Sequence, residues 1–334
     1  MQKVITLLSK LLNVNGYLNA LGYSKKMNIE YNKEKLKFRP FKLKEWNFYQ
    51  FIFDHYSLQM TIGHVSYMSS ISATLIDLNT QKKYEIGCMK PLWHPELDLN
   101  PEKPSLVNFK NDSLEMVFET KENERVLKVK GSNKKYKNIE IKLVVENDLN
   151  NEKMVISTPF KKKHQFYLNY KENYYRASGY VKFDEFELDI KGATGLIDWG
   201  RGIWPYKHEW FWGNLTSFID GVPFGFNIGW GFGDLSNATE NMFFYNKKSF
   251  KLGNLIVERD KNDYMKPWSL KDENGLMELY FTPFYDNYTE NKYVVIDTHC
   301  DQLYGYYSGY IVVDDKKIEF NNILAFIEHA VNKW

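Results

Sequence analysis

Apolar and polar residues alternate with a period of two through much of the chain. Ile139, Ile141, Leu143 and Val145 are interleaved with Glu140, Lys142 and Val144, and Leu114, Met116 and Phe118 with Glu115 and Val117. Phe186, Leu188 and Ile190 alternate with Glu187, Asp189 and Lys191, and Met277, Leu279 and Phe281 repeat the pattern further on. Successive side chains of a strand point to opposite faces, so each run predicts a strand with one face on a core and one toward water. Turn-forming residues separate the runs: Asn79-Thr80-Gln81-Lys82, Lys110-Asn111-Asp112, Gly131-Ser132-Asn133, the stretch from Asn147 to Asn151, and Asp314-Asp315-Lys316. Short strands at this spacing predict a sandwich or barrel, not βαβ units.

One helix is expected. After Asn321-Asn322, the residues Ile323, Leu324, Phe326, Ile327, Ala330, Val331 and Trp334 follow an i, i+3, i+4, i+7 stripe, and either asparagine can cap its first turn. Such a helix would pack over a sheet or close a barrel end. Residues 1–12 carry a weaker helical pattern. The polar stretch from Lys161 to Tyr175 is the expected domain boundary, dividing the chain into β-rich halves at 1–165 and 166–334.

Composition sharpens the picture at one point. Aromatic residues make up 17% of the 334 residues, and large amphipathic rings favour pleated, half-buried surfaces and line apolar pockets. Charge adds little: 44 basic against 42 acidic residues, well mixed, leave a net charge of +2. Lys161-Lys162-Lys163-His164 is the nearest approach to a basic patch and reads as a solvated turn, so no nucleic-acid partner is expected. Cys88 and Cys300 stand far apart without a CxxC pairing, which argues for neither a disulfide framework nor a metal site. No stretch approaches the ~20 apolar residues of a membrane helix, and Lys10 interrupts the apolar N-terminal run, so the expected location is cytoplasmic with no integral membrane segment.

The candidate chemistry is concentrated between Leu196 and Asn241. The run from Gly195 to Gly213 holds Trp199, Trp204, Trp210 and Trp212, four of the nine tryptophans, with Asp198, Arg201, Tyr206, His208 and Glu209 among them. Beyond it, Phe224-Gly225-Phe226-Asn227-Ile228-Gly229-Trp230-Gly231-Phe232-Gly233 alternates rings or aliphatic groups with glycines, and Thr239-Glu240-Asn241 closes the segment. Glycine inside a strand is costly unless a ligand or another backbone comes close, or the strand bends. Two readings are open. In one, the rings wall a pocket and Asp198, Arg201, Asn227 and Glu240 orient a ligand; in the other, Asp198 and Arg201 pair to lock a turn and the tryptophans are core. The spacing Gly229-x-Gly231-x-Gly233 is not that of a dinucleotide loop. His208-Glu209 lacks the second histidine of a zinc-protease helix, and no G-x-S-x-G elbow exists, so neither cofactor nor metal is expected.

Ile197-Asp198-Trp199-Gly200-Arg201-Gly202-x-Trp204-Pro205-Tyr206, Trp210-x-Trp212-Gly213 and Thr239-Glu240-Asn241 resemble the motifs of an uncharacterised bacterial family, the domain of unknown function numbered 2804. Gly305-x-Tyr307-Ser308-Gly309, Phe326-x-Glu328-His329, Asn15-Gly16-Tyr17 and Lys44-Glu45-Trp46 extend the resemblance over nearly the whole chain. The family brings no established activity. By looser analogy it is similar to lipocalin-like proteins with two β-barrels, the group that includes tocopherol cyclase and carotenoid hydratase. The resemblance therefore implies a mainly β fold of two lipocalin-like antiparallel barrels or sandwiches, to which the apolar stripe adds the C-terminal helix.

Two functions are consistent with these residues. The first is binding of a small apolar or amphiphilic, lipid- or isoprenoid-like ligand in a barrel pocket, contacted by Arg201, Trp204, Tyr206, Trp210, Trp212, Asn227 and Asn241. The alternative is a metal-independent enzyme of hydratase, isomerase or cyclase type. Asp198 or Glu240 would then be the general acid, its pKa raised by an apolar wall, with tryptophan faces stabilising a developing cation.

Overall fold

The computed structural model describes residues 2–36, 42–292 and 296–334. The chain separates into two compact units, Val4–Trp204 and Pro205–Trp334, the latter taking in Met1–Lys3. Each unit builds one large antiparallel sheet that curls into a half-barrel, as the period-two runs predict.

In the first unit the strands Lys82–Pro91, Met68–Asp77, Tyr56–His64 and Leu43–Phe53 lie side by side. Phe186–Ile203, Phe166–Phe183, Ile139–Glu146, Glu124–Gly131, Leu114–Thr120 and Ser105–Lys110 continue the sheet. Alternation in the sequence becomes alternation in burial: Leu114, Met116 and Phe118 are buried between half-buried neighbours. Ile139, Ile141, Leu143 and Val145 join the same core, together with Tyr49, Phe51 and Trp199. Fully burying side chains of this size contributes about 1.5–3 kcal/mol each.

The polar stretch from Lys161 to Tyr175 is not a linker. From Phe166 onward it is the first part of an 18-residue strand held between Met154–Pro159 and Phe186–Ile203. Its Asn169, Lys171, Glu172 and Asn173 are buried, so their polarity mimics exposure that the fold does not give them. The units part between Trp204 and Pro205 instead.

In the second unit the order is Lys248–Lys251, Met242–Tyr245, Val222–Trp230, Lys207–Ile219, Lys316–Lys333, Asp297–Val313, Met277–Asp286, Trp268–Asp272 and Leu255–Glu258. Its core is apolar, with Phe224, Phe226, Phe243, Trp268, Phe281 and Ile327 among its members. The turn signal at Asp314-Asp315 is realised as a two-residue hairpin, both residues having positive φ (48° and 61°) between the paired Val313 and Lys316.

The expected C-terminal helix is a strand, Lys316–Lys333. It lies in mid-sheet between Lys207–Ile219 and Asp297–Val313, and ladder bonds to two neighbours replace intrahelical ones. Ile327 faces the core while Phe326 faces Trp212 on the opposite side. A strand covered on both faces loses its alternation, and its apolar run then fits a helical stripe equally well. Asn322, with φ 52°, sits at a register irregularity and caps nothing. The N-terminal residues are extended too: Val4 bridges Tyr23, and Ser9–Lys10 pairs in parallel with Ile29–Glu30. Met1 of that expected helix lies outside the described residues. Among the described residues no helix is long and apolar enough to cross a membrane.

Candidate functional site

The motif from Ile197 to Trp204 is the end of the strand Phe186–Ile203 and its exit. Trp199, Ile197 and Ile203 belong to the core cluster. The strand period therefore sends Asp198, Gly200 and Gly202 to the opposite face. A Cβ at Gly200 would collide with the indole of Trp46, and one at Gly202 with the indole of Trp204. The two glycines thus let two indole rings lie on the strand, where both contact Tyr167 (5.7 and 5.3 Å between ring centres).

Asp198 and Arg201, three residues apart on a strand, do not form the pair that a turn would allow. Arg201 is fully buried. Its Nη1 donates to the carbonyls of Trp46 (2.6 Å) and Gly200 (2.8 Å), and its Nη2 to Asn47 Oδ1 (2.8 Å) and the Asp98 carbonyl (2.9 Å). The guanidinium lies 3.9 Å over the Trp199 ring, and its carboxylate neighbours are Asp98 (3.4 Å) and Glu45 (3.8 Å). Arg201 ties two strands and the segment carrying Asp98 together through its two Nη groups, both of which donate to protein oxygens.

Glu45 is the centre of this polar knot. Tyr31 Oη (2.6 Å), Lys33 Nζ (2.5 Å) and His64 Nε2 (3.0 Å) all reach its carboxylate. Burial alone would raise the Glu45 carboxyl, but the His64 hydrogen bond and the Arg201 and Lys33 charges hold it well below the usual carboxylate range. Burial keeps the His64 imidazole below its ordinary value despite Glu45. Its Nδ1 accepts from the Ser66 amide (3.1 Å), which assigns the ring proton to Nε2.

Asp198 behaves in the opposite way. Burial raises its carboxyl, against the lowering effects of Lys171, the Asn169 hydrogen bond, Trp46 and Arg201. Asn169 Nδ2 donates to Oδ1 (2.5 Å), and Lys171 Nζ lies 3.9 Å from Oδ2. A carboxyl held toward its neutral form on a face with Trp46, Trp204 and Tyr167 has the properties of a proton donor.

The rest of the candidate residues belong to the second unit. Trp210 and Trp212, two apart on one strand, share a face. Trp212 Nε1 donates to Asn227 Oδ1 (2.7 Å), whose Nδ2 donates to the Glu240 carbonyl (2.8 Å). Trp210 Nε1 donates to Glu328 Oε1 (2.8 Å). Asn241 Oδ1 accepts from the Gly229 amide (2.8 Å), and its Nδ2 donates to the Gly253 carbonyl (2.8 Å). Glu240 Oε2 lies 3.2 Å from where a Cβ of Gly229 would stand, so this glycine is a close approach of side chain to backbone. Gly231 and Gly233 lie beyond the strand at positive φ (86° and 74°). Tyr206 is exposed, and its carbonyl accepts from the Trp334 amide (3.0 Å).

Three participants escape a reading of the central segment alone. Glu45 and Glu328 lie in flanking motifs of the chain, and Lys251 lies in none. Lys251 Nζ donates to Thr239 Oγ1 (2.6 Å) and to the carbonyls of Asn241 (2.6 Å) and Leu252 (2.8 Å). Burial pushes it down to about 7, against Asp272 and Glu240. No short-range pattern marks such a lysine, because its partners come from the facing turn.

The motifs that build both knots run through the entire chain, and residues 2–334 match one family, Domain of unknown function (DUF2804). The chain belongs to DUF2804. No curated protein matches it. Among solved structures this DUF2804 chain is similar to kievitone hydratase from Nectria haematococca, at 11% identity and a TM-score of 0.52, covering 86% of this chain and 88% of that one. It also matches a putative AttH from Nitrosomonas europaea, at 10% identity and a TM-score of 0.45, covering 86% and 92%. The first likeness shows that this chain shares a lipocalin-like fold.

Proposed function

We propose that the chain binds a small apolar or amphiphilic molecule of lipid or isoprenoid type. The observation that carries this reading is a cleft of ≈ 460 Å³ in the unit Val4–Trp204. Leu8, Ile29, Leu99 and Pro104 give it an apolar wall, and Tyr31 and Asp98 give it polar points. Pockets of about 300–1,000 Å³ suit single small ligands, and few polar groups suffice to orient one. Tyr31 is anchored by Glu45 and Asp98 by Trp199 Nε1 (2.9 Å), so both polar points are preorganised. Denaturing extraction of the purified protein, followed by mass spectrometry, should release a defined lipid-like molecule, and Leu99→Asp, at an exposed residue of the cleft wall, should lose it. Empty wild-type protein that also fails to take up added isoprenoid alcohols would end this reading.

A second reading, a metal-independent enzyme of hydratase, isomerase or cyclase type, is favoured by the raised carboxyl of Asp198. Asp198 would protonate the substrate, and Glu240 is the alternative donor. The fold shared with a hydratase is compatible with this chemistry and transfers none of it. Incubation with unsaturated isoprenoids in H₂¹⁸O should give ¹⁸O-labelled product with the wild type and none with Asp198→Asn. Equal labelling by a folded Asp198→Asn and loss in Glu240→Gln would move the role to Glu240.

A further inference from the structure

Inside the unit Val4–Trp204, away from Asp198, lies a second group of buried ionisable residues. Arg125 and Glu172 are each 1% exposed. Glu172 Oε2 accepts short hydrogen bonds from Tyr170 and Tyr175, both at 2.6 Å. Arg125 donates through Nη1 to Tyr49 (3.2 Å) and Thr120 (3.1 Å), and through Nη2 to the Pro101 carbonyl (2.7 Å). The guanidinium stands 5.4 Å from the Tyr175 ring centre. Two atoms of this cage have no hydrogen-bond partner among the described residues: Glu172 Oε1 and Arg125 Nε. One is an acceptor and one a donor. Buried polar groups of folded proteins are nearly all hydrogen-bonded, so an open acceptor and an open donor in one cage are candidate contacts for a ligand.

The backbone is also bent to make the cage. On an ordinary strand Glu172 and Tyr175, three residues apart, would face opposite sides. A register shift between them inserts an extra residue, and Tyr174 takes φ 55°. A bulky residue is held in the left-handed region only where the surrounding structure imposes it. Bulges of this kind re-aim side chains, and this one brings the Tyr175 hydroxyl onto Glu172.

We propose that the cage binds the head group of a small neutral molecule that gives a hydroxyl proton to Glu172 Oε1 and a carbonyl oxygen to Arg125 Nε, as a hydroxyketone does. The charges of Arg125 and Glu172 balance, which selects against an ionic head group. The rings of Tyr49, Tyr170 and Tyr175 offer apolar contact to the rest of the molecule. Pro101, whose carbonyl holds Arg125, lies in the same segment as Asp98, Asn100 and Lys103, which line the cleft of ≈ 460 Å³. The inference does not depend on what occupies that cleft.

The test is titration of the full chain with 2-hydroxyacetophenone, an uncharged hydroxyketone, followed by calorimetry and by a crystal structure of the complex. The wild type should bind one equivalent at the cage. Glu172→Gln should weaken binding about tenfold or more, because the open acceptor loses its charge. If Glu172→Gln does not fold, Tyr175→Phe, which removes one of the two bonds to Glu172, should weaken binding in the same direction. An ordered water bridging the two open atoms that the ketone does not displace would overturn the proposal. So would unchanged affinity in a folded variant.

Discussion

At the scale of single residues, the two acidic groups nearest the central motif illustrate how position decides charge. Glu45 is held low by His64, Arg201 and Lys33 although burial works the other way. Its contribution to stability is therefore present above the ordinary carboxylate value of about 4.3 and lost as pH falls through its lower folded value. For Asp198 the sign is reversed, since burial raises its carboxyl. Its contribution is full below about 3.9, the ordinary aspartate value, and is lost as pH rises through the raised one. Urea unfolding of wild type and Asp198→Asn should show the wild type losing ground to the variant as pH rises from 4 toward neutrality. A constant difference would mean that Asp198 is not shifted in the fold. Arg201→Met leaves Glu45 and Asp98 buried beside a missing cation and should cost about 3–5 kcal/mol in the same assay. Lys251 offers a direct reading: its side-chain carbon next to nitrogen should titrate near pH 7 by NMR, since burial pushes the amine down to about 7.

At the scale of elements, the strand Phe186–Ile203 depends on its glycines as much as on its large residues. Gly200→Ala places a methyl group inside the Trp46 indole. The ring must leave the strand, and overpacking of this kind costs about 1–3 kcal/mol, read as a lowered midpoint in denaturant. Gly192→Ala on the same strand meets no neighbouring atom, but its φ of 69° makes it strained for another reason. The strand Lys316–Lys333 is bonded on both sides from Phe326 to Lys333. Its amides from Phe326 to Val331 should exchange slowly without interruption, and Ile327→Pro should abolish folding of that unit by removing a ladder bond in mid-sheet.

At the scale of the whole molecule, each unit has its own core and its own polar knot. The first residues belong to the second unit: Gln2 Oε1 accepts from the Thr239 amide (2.7 Å), its Nε2 donates to the Leu252 carbonyl (2.6 Å), and the Lys3 amide donates to the Asn237 carbonyl (2.8 Å). Gln2→Ala should therefore speed hydrogen exchange around residues 237–254 and leave the strands of Val4–Trp204 unaffected. Acceleration spread equally over both units would contradict the division at Trp204 and Pro205.

Much of this was written in local pattern. Alternation at Leu114–Phe118 and Ile139–Val145 specified strands because a period of two can be buried in only one way. The aromatic and glycine-rich segment marked the places where rings would lie on strands. What the pattern could not carry was everything that depends on a partner distant along the chain. Ile323–Val331 fits a helix and a central strand equally until packing covers both faces, Ile327 on the core and Phe326 on Trp212. Asp198 and Arg201 look like a pair until the strand turns them apart. The polarity of Asn169, Lys171 and Glu172 suggests a linker until burial, paired charges and a bulge draw them inside. Local propensity acts through adjacent residues, whereas burial, dielectric environment and hydrogen-bond partners are set by strands that meet only when the sheet is complete.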